Sequence, residues 1–305
     1  MQSPRQIRFV FHSQPFVEGA GVHLRRAMGY DQVPLFDPFL MLDDFRSDTP
    51  SRYIKGFPWH PHRGIETITY MVDGSAEHGD SMGNSGTIFA GDVQWMTAGS
   101  GVIHQEMPKP DAMGRMGGFQ LWANLPASRK MMPPRYRDIR ASQIPVVALD
   151  KGIEIRIICG RVGDTVGPVR DIVIDPEYLD VSLAPGARLL HPTRPGYTVF
   201  AYVIQGSGTF GQPMASPVKG APAPGHDPIS SKDHGKHTLL LFSDGDHLCV
   251  ETGNDPVRFL LISGKPIQEP VVWQGPIVMN TREELDTAFR EYRDGTFIRH
   301  PKAAV

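Results

Sequence analysis

Two short segments of the chain carry histidines at a spacing that could hold a metal ion. His60 and His62 are two residues apart, and His104 is followed two residues later by Glu106. In a β-strand, residues two apart face the same side, so each pair can direct its side chains at one point. Glu66 has the same parity as the first pair and is a further candidate carboxylate. Three imidazoles and one carboxylate suit a divalent transition metal better than calcium or magnesium.

The same ligand set indicates which metal to expect and what it would do. We expect iron(II), while nickel, manganese, copper or zinc could occupy the same ligands. Four protein ligands leave open positions on an octahedral ion, either for a chelating substrate or for a substrate and dioxygen. Closed structural sites are usually tetrahedral and rich in cysteine, and these segments contain no cysteine. The pattern therefore favours a site that is open to a ligand.

The rest of the sequence predicts an all-β chain around these residues. Short runs rich in Val, Ile, Thr and aromatic residues each end at Gly, Pro, Asp or Asn, which indicates many short strands in a sandwich or barrel. These runs are 66–72, 87–90, 119–123, 153–159, 198–204, 239–242 and 258–262. One strong helix is predicted, because Thr281 and Glu284 form a capping box and the segment ends at Gly295. We expect this helix to be a structural clamp.

The chain repeats itself weakly, and the repeat predicts two similar β-units. Residues 68–75 (ITYMVDGS) correspond to residues 200–207 (FAYVIQGS), whereas later matching glycines are further apart. A stretch rich in Pro, Gly and Ser, residues 211–236, absorbs the difference and is predicted to be a long exposed loop. The basic, proline-marked stretch 126–145 separates the two units. We therefore predict an N-terminal, metal-binding domain at residues 1–135 and a C-terminal domain at residues 136–305.

The repeat also serves as an internal comparison for the candidate ligands. Residues that serve only the fold should persist, at least in part, in a second copy of that fold. None of the candidate ligands does. The positions that match them in the second half are Pro192, Arg194, Thr198, Arg258 and Leu260. This asymmetry indicates a metal site in the first half alone.

Bulk composition excludes several classes of protein. At 305 residues, with 40% hydrophobic and 21% charged residues, the chain has enough apolar material for two packed cores. The formal net charge is −2, so the chain lacks the excess of basic residues with which proteins bind nucleic-acid phosphates. No run approaches the ~18 apolar residues of a membrane span, and two cysteines cannot form a disulfide framework. We expect a cytoplasmic monomer that binds neither nucleic acid directly nor a membrane.

Longer motifs give the chain a family resemblance. Residues 56–66 resemble the first cupin motif and residues 91–104 the second. The resemblance to the pirins is closer and covers nearly the whole chain. It lies in segments 60–67 (HPHRGIET), 94–99 (QWMTAG), 120–126 (QLWANLP), 259–266 (FLLISGKP) and 275–281 (GPIVMNT). It implies a bicupin, with two β-sandwich or jelly-roll barrel domains and a C-terminal helix. It also implies iron in the N-terminal domain and none in the C-terminal domain.

The resemblance further implies which carboxylate binds the metal. Common cupins take that ligand from the first motif, which here would be Glu66. Pirins instead use the glutamate two residues after the third histidine, which here is Glu106. The implied ligands are therefore His60, His62, His104 and Glu106, with Glu66 as a structural neighbour.

Three functions are compatible with this resemblance. Pirins are similar to flavonol 2,3-dioxygenases, which implies an enzyme that uses dioxygen to open the ring of a flavonol such as quercetin, with Glu106 as catalytic base. A regulatory protein, whose metal or redox state controls binding to a transcription or metabolic partner, is the alternative. A small-molecule binder without turnover is the third. A flat aromatic ligand needs apolar walls, for which the nearby candidates are Phe57, Trp59, Trp95, Met96, Phe119 and Trp122.

Overall fold

The computed structural model describes residues 3–149, 152–211 and 233–300, together with the backbone of residues 226–227. The chain divides into two compact units, and neither is a continuous stretch of sequence. One, here called the cavity unit, comprises Gln14–Pro34, Phe39–Ala141 and Ile267–Val305. The other, here called the filled unit, comprises Met1–Ser13, Leu35–Pro38 and Ser142–Pro266. The division after residue 135 stays a prediction, and most of the predicted loop 211–236 lies outside the described residues.

Strands make up most of both units, as the short apolar runs predict. In chain order the first are β1 (Ile7–His12), β2 (Gln14–Glu18), β3 (Val22–Met28), β4 (Phe39–Asp44), β5 (Phe57–His62), β6 (Ile65–Asp73), β7 (Ser75–Asp80), β8 (Ser85–Phe89), β9 (Val93–Thr97), β10 (Val102–Lys109), β11 (Gly117–Asn124), β12 (Arg135–Ile139) and β13 (Val146–Leu149). They are followed by β14 (Ile153–Cys159), β15 (Arg161–Val162), β16 (Thr165–Val166), β17 (Glu177–Leu183), β18 (Arg188–Pro192), β19 (Thr198–Phe210), β20 (His226–Asp227), β21 (His234–Gly235), β22 (Thr238–Phe242), β23 (His247–Glu251), β24 (Val257–Gly264), β25 (Val272–Gln274) and β26 (Ile277–Met279). The helices are α1 (Ala127–Lys130) and α2 (Arg282–Arg293), and short 3-10 turns occur at Tyr30–Gln32, Pro50–Arg52 and Ala141–Gln143. The predicted runs fall within strands, except that Ala90 lies just beyond the end of β8, so the all-β expectation is confirmed.

Two antiparallel sheets build most of the cavity unit. The larger has the strand order β12-β9-β6-β11-β4-β3-β2, and the smaller has the order β5-β10-β7-β8. Strands β6 and β11, which contain two of the predicted runs, pair along their whole length near the centre of the larger sheet. Because side chains alternate between the two faces of a sheet, every second residue of these strands faces the interior of the unit.

The filled unit has an apolar core. Its main path of strands is β13-β14-β17-β24-β19-β22-β1-β20, and β1, from the start of the chain, pairs with β22. Apolar side chains from these strands pack into one buried cluster, whose members include Ile155, Leu179, Val203, Leu240 and Phe259.

The C-terminal helix is confirmed, and so is its capping box. The hydroxyl of Thr281 accepts the backbone N–H of Glu284 at 3.2 Å, and the Glu284 carboxylate accepts that of Thr281 at 3.1 Å. Leu285 and Ala288 of α2 are fully buried and belong to the same cluster as Phe297. Among the described residues, no helix combines the length and apolar character needed to cross a membrane.

Candidate metal centre

Three histidines converge in the smaller sheet of the cavity unit. Strands β5 and β10 are antiparallel neighbours, and their register places His60 directly opposite His104. The Nε2 atoms of His60 and His62 are 3.1 Å apart. The ring centroid of His104 is 4.4 Å from that of His60 and 5.0 Å from that of His62. One nitrogen from each ring lies within 4.8 Å of the other two, so the two segments meet at one point.

The hydrogen bonds of His60 and His62 leave the Nε2 atom of each ring directed at this point. Nδ1 of His60 donates to the carbonyl oxygen of Pro58 at 2.8 Å, and Nδ1 of His62 donates to that of Pro276 at 3.2 Å. A neutral imidazole that donates through Nδ1 keeps a lone pair on Nε2. Burial lowers the pKa of His62 well below its usual value, and the neighbouring histidines lower it further. Two lone pairs 3.1 Å apart repel each other, and a cation between them would remove that repulsion.

His104 gives a second indication of a metal ion. Burial lowers the pKa of this imidazole well below its usual value, so it too is neutral. Both of its ring nitrogens are buried, and neither has a hydrogen-bond partner in the described part of the chain. A buried polar atom without a partner costs about 1–3 kcal/mol. Three converging imidazoles, one of them without a hydrogen-bond partner, fit a divalent transition metal.

Glu106 lies beside the histidines on the cavity wall. It is opposite His78 of β7, and the hydroxyl of Thr69 donates to its Oε1 at 3.2 Å. Burial raises the pKa of Glu106, and the nearby His60 and Thr69 oppose this effect. The group of ligand atoms within 4.8 Å of one another contains the three histidines and does not include Glu106. Its role as the fourth ligand therefore stays a prediction.

Glu66 faces away from this site. Gly64, with a φ of +79°, forms the turn between β5 and β6, so the parity of His60 and His62 does not continue to Glu66. Its carboxylate accepts the hydroxyl of Thr97 at 2.6 Å. Thr69, three residues further on, lines the cavity, and residues an odd number apart face opposite sides of a strand. The parity argument that admitted Glu66 as a ligand is therefore wrong.

Two buried cations hold the turn that follows His62. Nζ of Lys130 donates to the carbonyl oxygens of Gly64 at 2.9 Å and Val278 at 3.1 Å, and to Oδ1 of Asn124 at 2.6 Å. Burial lowers the pKa of Lys130 to about 7. The turn is thereby tied to β26.

Arg63 is the second of these cations and connects the turn to the C-terminal helix. Its guanidinium donates to the carbonyl oxygens of Ser100 at 2.7 Å and Phe297 at 2.9 Å. It also forms an ion pair with Glu291 of α2 at 2.7 Å. The expectation that the helix acts as a clamp agrees with these contacts.

A cavity of about 690 Å³ opens beside the histidines. Its apolar wall residues include Leu24, Met41, Phe45, Phe57, Met71, Trp122 and Trp273. The Trp122 ring lies edge-on to His62, with centroids 5.0 Å apart. Of the wall residues predicted from the sequence, Phe57 and Trp122 line the cavity. The remaining four do not, since Trp95, Met96 and Phe119 are buried elsewhere and Trp59 is 52% exposed.

The sequence reasoning missed the polar residues of this cavity, which are Glu18, Arg26, Asp43, Thr69 and Gln120. They come from strands outside the two histidine segments. One signal was present in the sequence. Asp43, Thr69 and Gln120 each interrupt an apolar strand at a position that faces inward.

Comparisons with known proteins agree with this architecture. Residues 21–123 match the family model described as Pirin, and residues 178–298 match the Pirin C-terminal cupin domain. A pirin-like protein from Caulobacter vibrioides is 41% identical, over 96% of this chain and 99% of its own length. A protein of Pseudomonas aeruginosa with the name "Putative quercetin 2,3-dioxygenase" is 40% identical, over 95% of this chain and 97% of its own length.

Solved structures show the same fold. The structure of a quercetin 2,3-dioxygenase from Acinetobacter baumannii matches with a TM-score of 0.84 and 30% identity, covering 97% of this chain and 99% of that one. A bacterial pirin from Escherichia coli matches with a TM-score of 0.60 and 19% identity, covering 85% of this chain and 98% of that one. The predicted bicupin fold with a C-terminal helix is confirmed.

Proposed function

This chain belongs to the pirin family, and from that premise we propose that it is an iron-dependent dioxygenase that opens the ring of a flavonol such as quercetin. One observation carries the proposal: three imidazoles converge on one place beside a largely apolar cavity, and the ring of His104 has no hydrogen-bond partner among the described residues. The names of the relatives from Pseudomonas aeruginosa and of the structure from Acinetobacter baumannii support the substrate class.

In this proposal His60, His62, His104 and Glu106 hold the metal ion. When bound, the ion would act as a Lewis acid and lower the pKa of a hydroxyl that chelates it. Iron(II) is the expected ion, and nickel, manganese, copper or zinc can use the same ligands.

The protein's own groups have three tasks. Glu106 takes the proton of the flavonol 3-hydroxyl as general base, and the 3.2 Å hydrogen bond from Thr69 holds its Oε1 in place. The ring of Trp122, edge-on to His62, offers an apolar surface to a flat ligand next to the ligating nitrogens. The other apolar walls keep water from the deprotonated flavonol, which is then electron-rich enough to react with dioxygen. The net reaction places both atoms of dioxygen in the products, opens the ring and releases one carbon as carbon monoxide.

Oxygen uptake tests this proposal. The protein is reconstituted with iron under anaerobic conditions, and quercetin and air-saturated buffer are then added. We expect oxygen and the flavonol absorbance band to disappear together while carbon monoxide forms. His104→Ala protein treated in the same way should be inert, which excludes a reaction caused by free iron. If the metal-loaded wild-type protein consumes no oxygen with any flavonol tested, the dioxygenase proposal is refuted.

A further inference from the structure

A line of polar side chains crosses the larger sheet of the cavity unit. The strand register places six of them side by side on consecutive strands, one per strand from β12 to β3. We call them the polar row: Asp138, Gln94, Thr69, Gln120, Asp43 and Arg26. Paired residues on neighbouring strands share a face, so all six side chains face the interior of the unit.

From Thr69 to Arg26, the rows on either side of the polar row are mainly apolar, whereas Asp92 lies beside Gln94 and Arg140 beside Asp138. Two positions away along the strands on one side are Met96, Trp122 and Met41, and on the other side are Met71 and Leu24. An interior position is normally filled by an apolar residue, because burying a polar group costs free energy unless it is paired. A buried ion pair is also weak evidence for stability, since apolar residues of similar size often serve as well. Packing alone therefore does not account for the polar row.

The row has two halves with different surroundings. Nε2 of Gln94 donates to Asp138 at 3.1 Å, and the hydroxyl of Tyr136 donates to Oε1 of Gln94 at 2.8 Å, so these groups satisfy one another. The other half, from Thr69 to Arg26, lines the cavity. A ligand in the cavity would meet this second half.

Arg26 and Asp43 form a rigid pair at the end of that half. The guanidinium donates to both carboxylate oxygens, at 2.8 and 2.7 Å. Glu18 accepts a further hydrogen bond from Arg26 at 3.1 Å, and the ring of Phe16 lies 4.0 Å from the guanidinium carbon. This bidentate pair is also held from two other sides. The donors and acceptors that it does not use therefore point in fixed directions.

Three groups of this half keep unused hydrogen-bonding capacity. Among the described residues, Nη1 of Arg26 has no hydrogen-bond partner, and neither has Nε2 of Gln120, whose Oε1 shares the single hydroxyl proton of Thr69 with Glu106. Each carboxylate oxygen of Asp43 accepts one bond from Arg26 and retains a second lone pair. The cavity wall therefore offers donors and acceptors close together, as a hydroxyl group requires.

We propose that Asp43, Arg26 and Gln120 form a recognition site for ring hydroxyl groups on the part of a flavonol that lies away from its chelating oxygens. This inference rests on the proposed function for the class of ligand. Asp43 is two strands away from Thr69, which contacts Glu106, and two strand spacings amount to about 10 Å. A flat ligand with three rings is comparable in length to this span, and we therefore place its far ring near Asp43.

The geometry gives this site a role in choosing between ligands. A ring hydroxyl can donate to the Asp43 carboxylate and accept from Arg26 or Gln120. An unsubstituted ring would bury the same three groups without replacing their bonds to water. Sites built to hydrogen-bond a substrate discriminate strongly against analogues that lack the bonding group, for this reason.

Binding to zinc-loaded protein tests the site without turnover. Dissociation constants are measured for quercetin and for 3-hydroxyflavone, which has the same chelating oxygens but no other hydroxyl groups. We expect the wild-type protein to prefer quercetin by about tenfold or more, as hydrogen bonds to charged groups imply. Asp43→Asn and Gln120→Met should each reduce this ratio by about threefold or more, mainly through weaker binding of quercetin.

Asp44 provides a matched control on the same strand. It is as deeply buried as Asp43 and forms an equivalent bidentate pair with Arg46, at 2.8 and 2.6 Å. Because it is adjacent to Asp43 in β4, it faces the opposite side of the sheet. Asp44→Asn should therefore resemble Asp43→Asn in its effect on thermal stability and leave the ratio of the two dissociation constants unchanged.

The outcomes separate this inference from the proposed function. If quercetin binds but the ratio is unchanged in Gln120→Met and Asp43→Asn, the recognition site is refuted. If Asp43→Asn does not fold, Gln120→Met alone decides. If the ratio of dissociation constants falls in these variants while the wild-type protein consumes no oxygen, that result supports the recognition site and refutes only the dioxygenase. A wild-type protein that binds neither flavonol refutes both.

Discussion

His60 and His104 lie directly opposite each other on the paired strands β5 and β10, with their ring centroids 4.4 Å apart. The register of these two strands therefore sets the geometry of the metal centre. A shift of one residue would turn one histidine to the other face of the sheet.

Metal content tests the histidine cluster. We expect one transition metal ion per chain in the purified protein and none in His62→Ala, because a site with two of its three imidazoles loses most of its affinity. Mass spectrometry of the metals gives both values. His191→Ala is a suitable control, because this buried histidine of the filled unit bonds to Glu177 at 3.0 Å and should not affect metal content. Two metal ions per chain, or metal retained after replacement of both His60 and His104, would contradict the assigned site.

A pair of glutamine variants tests the choice of carboxylate. Glu106→Gln should weaken iron binding or abolish turnover, because the amide is a poorer ligand and cannot act as a base. Glu66→Gln should retain the metal, since Glu66 faces the other side of β6 and bonds to Thr97. Iron titrations and oxygen uptake on both variants measure these effects. The reverse result would return the chain to the common cupin pattern.

The buried Lys130 should make stability depend on pH in the alkaline range. Its pKa is about 7 in the folded protein and 10.5 as the ordinary value, so the unfolded chain binds more protons between these limits. The free energy of unfolding should therefore rise with pH from about 7 to 10.5, by at most about 1.4 kcal/mol per pH unit. Lys130→Met should lack this contribution.

Urea unfolding of both proteins at several pH values measures the difference. If the difference between wild type and Lys130→Met does not change with pH, the ammonium group stays charged in the folded protein. Its three oxygen acceptors would then compensate for its burial.

Gly64 should tolerate no side chain. It has a left-handed backbone with a φ of +79°, and a Cβ atom here would overlap the carbonyl oxygen of Val278. Gly186 has a similar φ of +71° but open space around it. We expect Gly186→Ala to cost about 1–2 kcal/mol for the backbone conformation alone, and Gly64→Ala to cost about 3 kcal/mol or more. Gly64→Ala should also lose metal. Thermal melts and metal analysis measure both effects. If the two substitutions cost the same free energy of unfolding, β26 moves to accommodate the added Cβ atom.

Much of this structure could be predicted from local patterns. The strand runs and the capping box of Thr281 and Glu284 depend on near neighbours in sequence, and they were predicted correctly. The loss of the histidines in the repeated half pointed to one metal site, and three histidines do come together in the cavity unit.

The errors and omissions have a common physical cause. Parity holds only within one strand, and the turn at Gly64 interrupted it before Glu66. The polar row depends on which strands are neighbours, and pairings such as Asp43 with Arg26 or Thr69 with Gln120 join distant parts of the chain. Strand β1, from the first half of the sequence, belongs to the filled unit, and α2, from the second half, belongs to the cavity unit. Both placements likewise depend on long-range contacts.

The hydrogen bond from His62 to Pro276 spans 214 positions in the chain. At typical rates of synthesis, roughly 10 to 40 seconds pass between the emergence of these two residues from the ribosome. All three histidines are therefore made well before the segment that fixes the orientation of His62. Strand β1 must similarly wait for β22, its partner in the filled unit. The orientation that His62 has in the folded chain is thus fixed only after the C-terminal segment has been made.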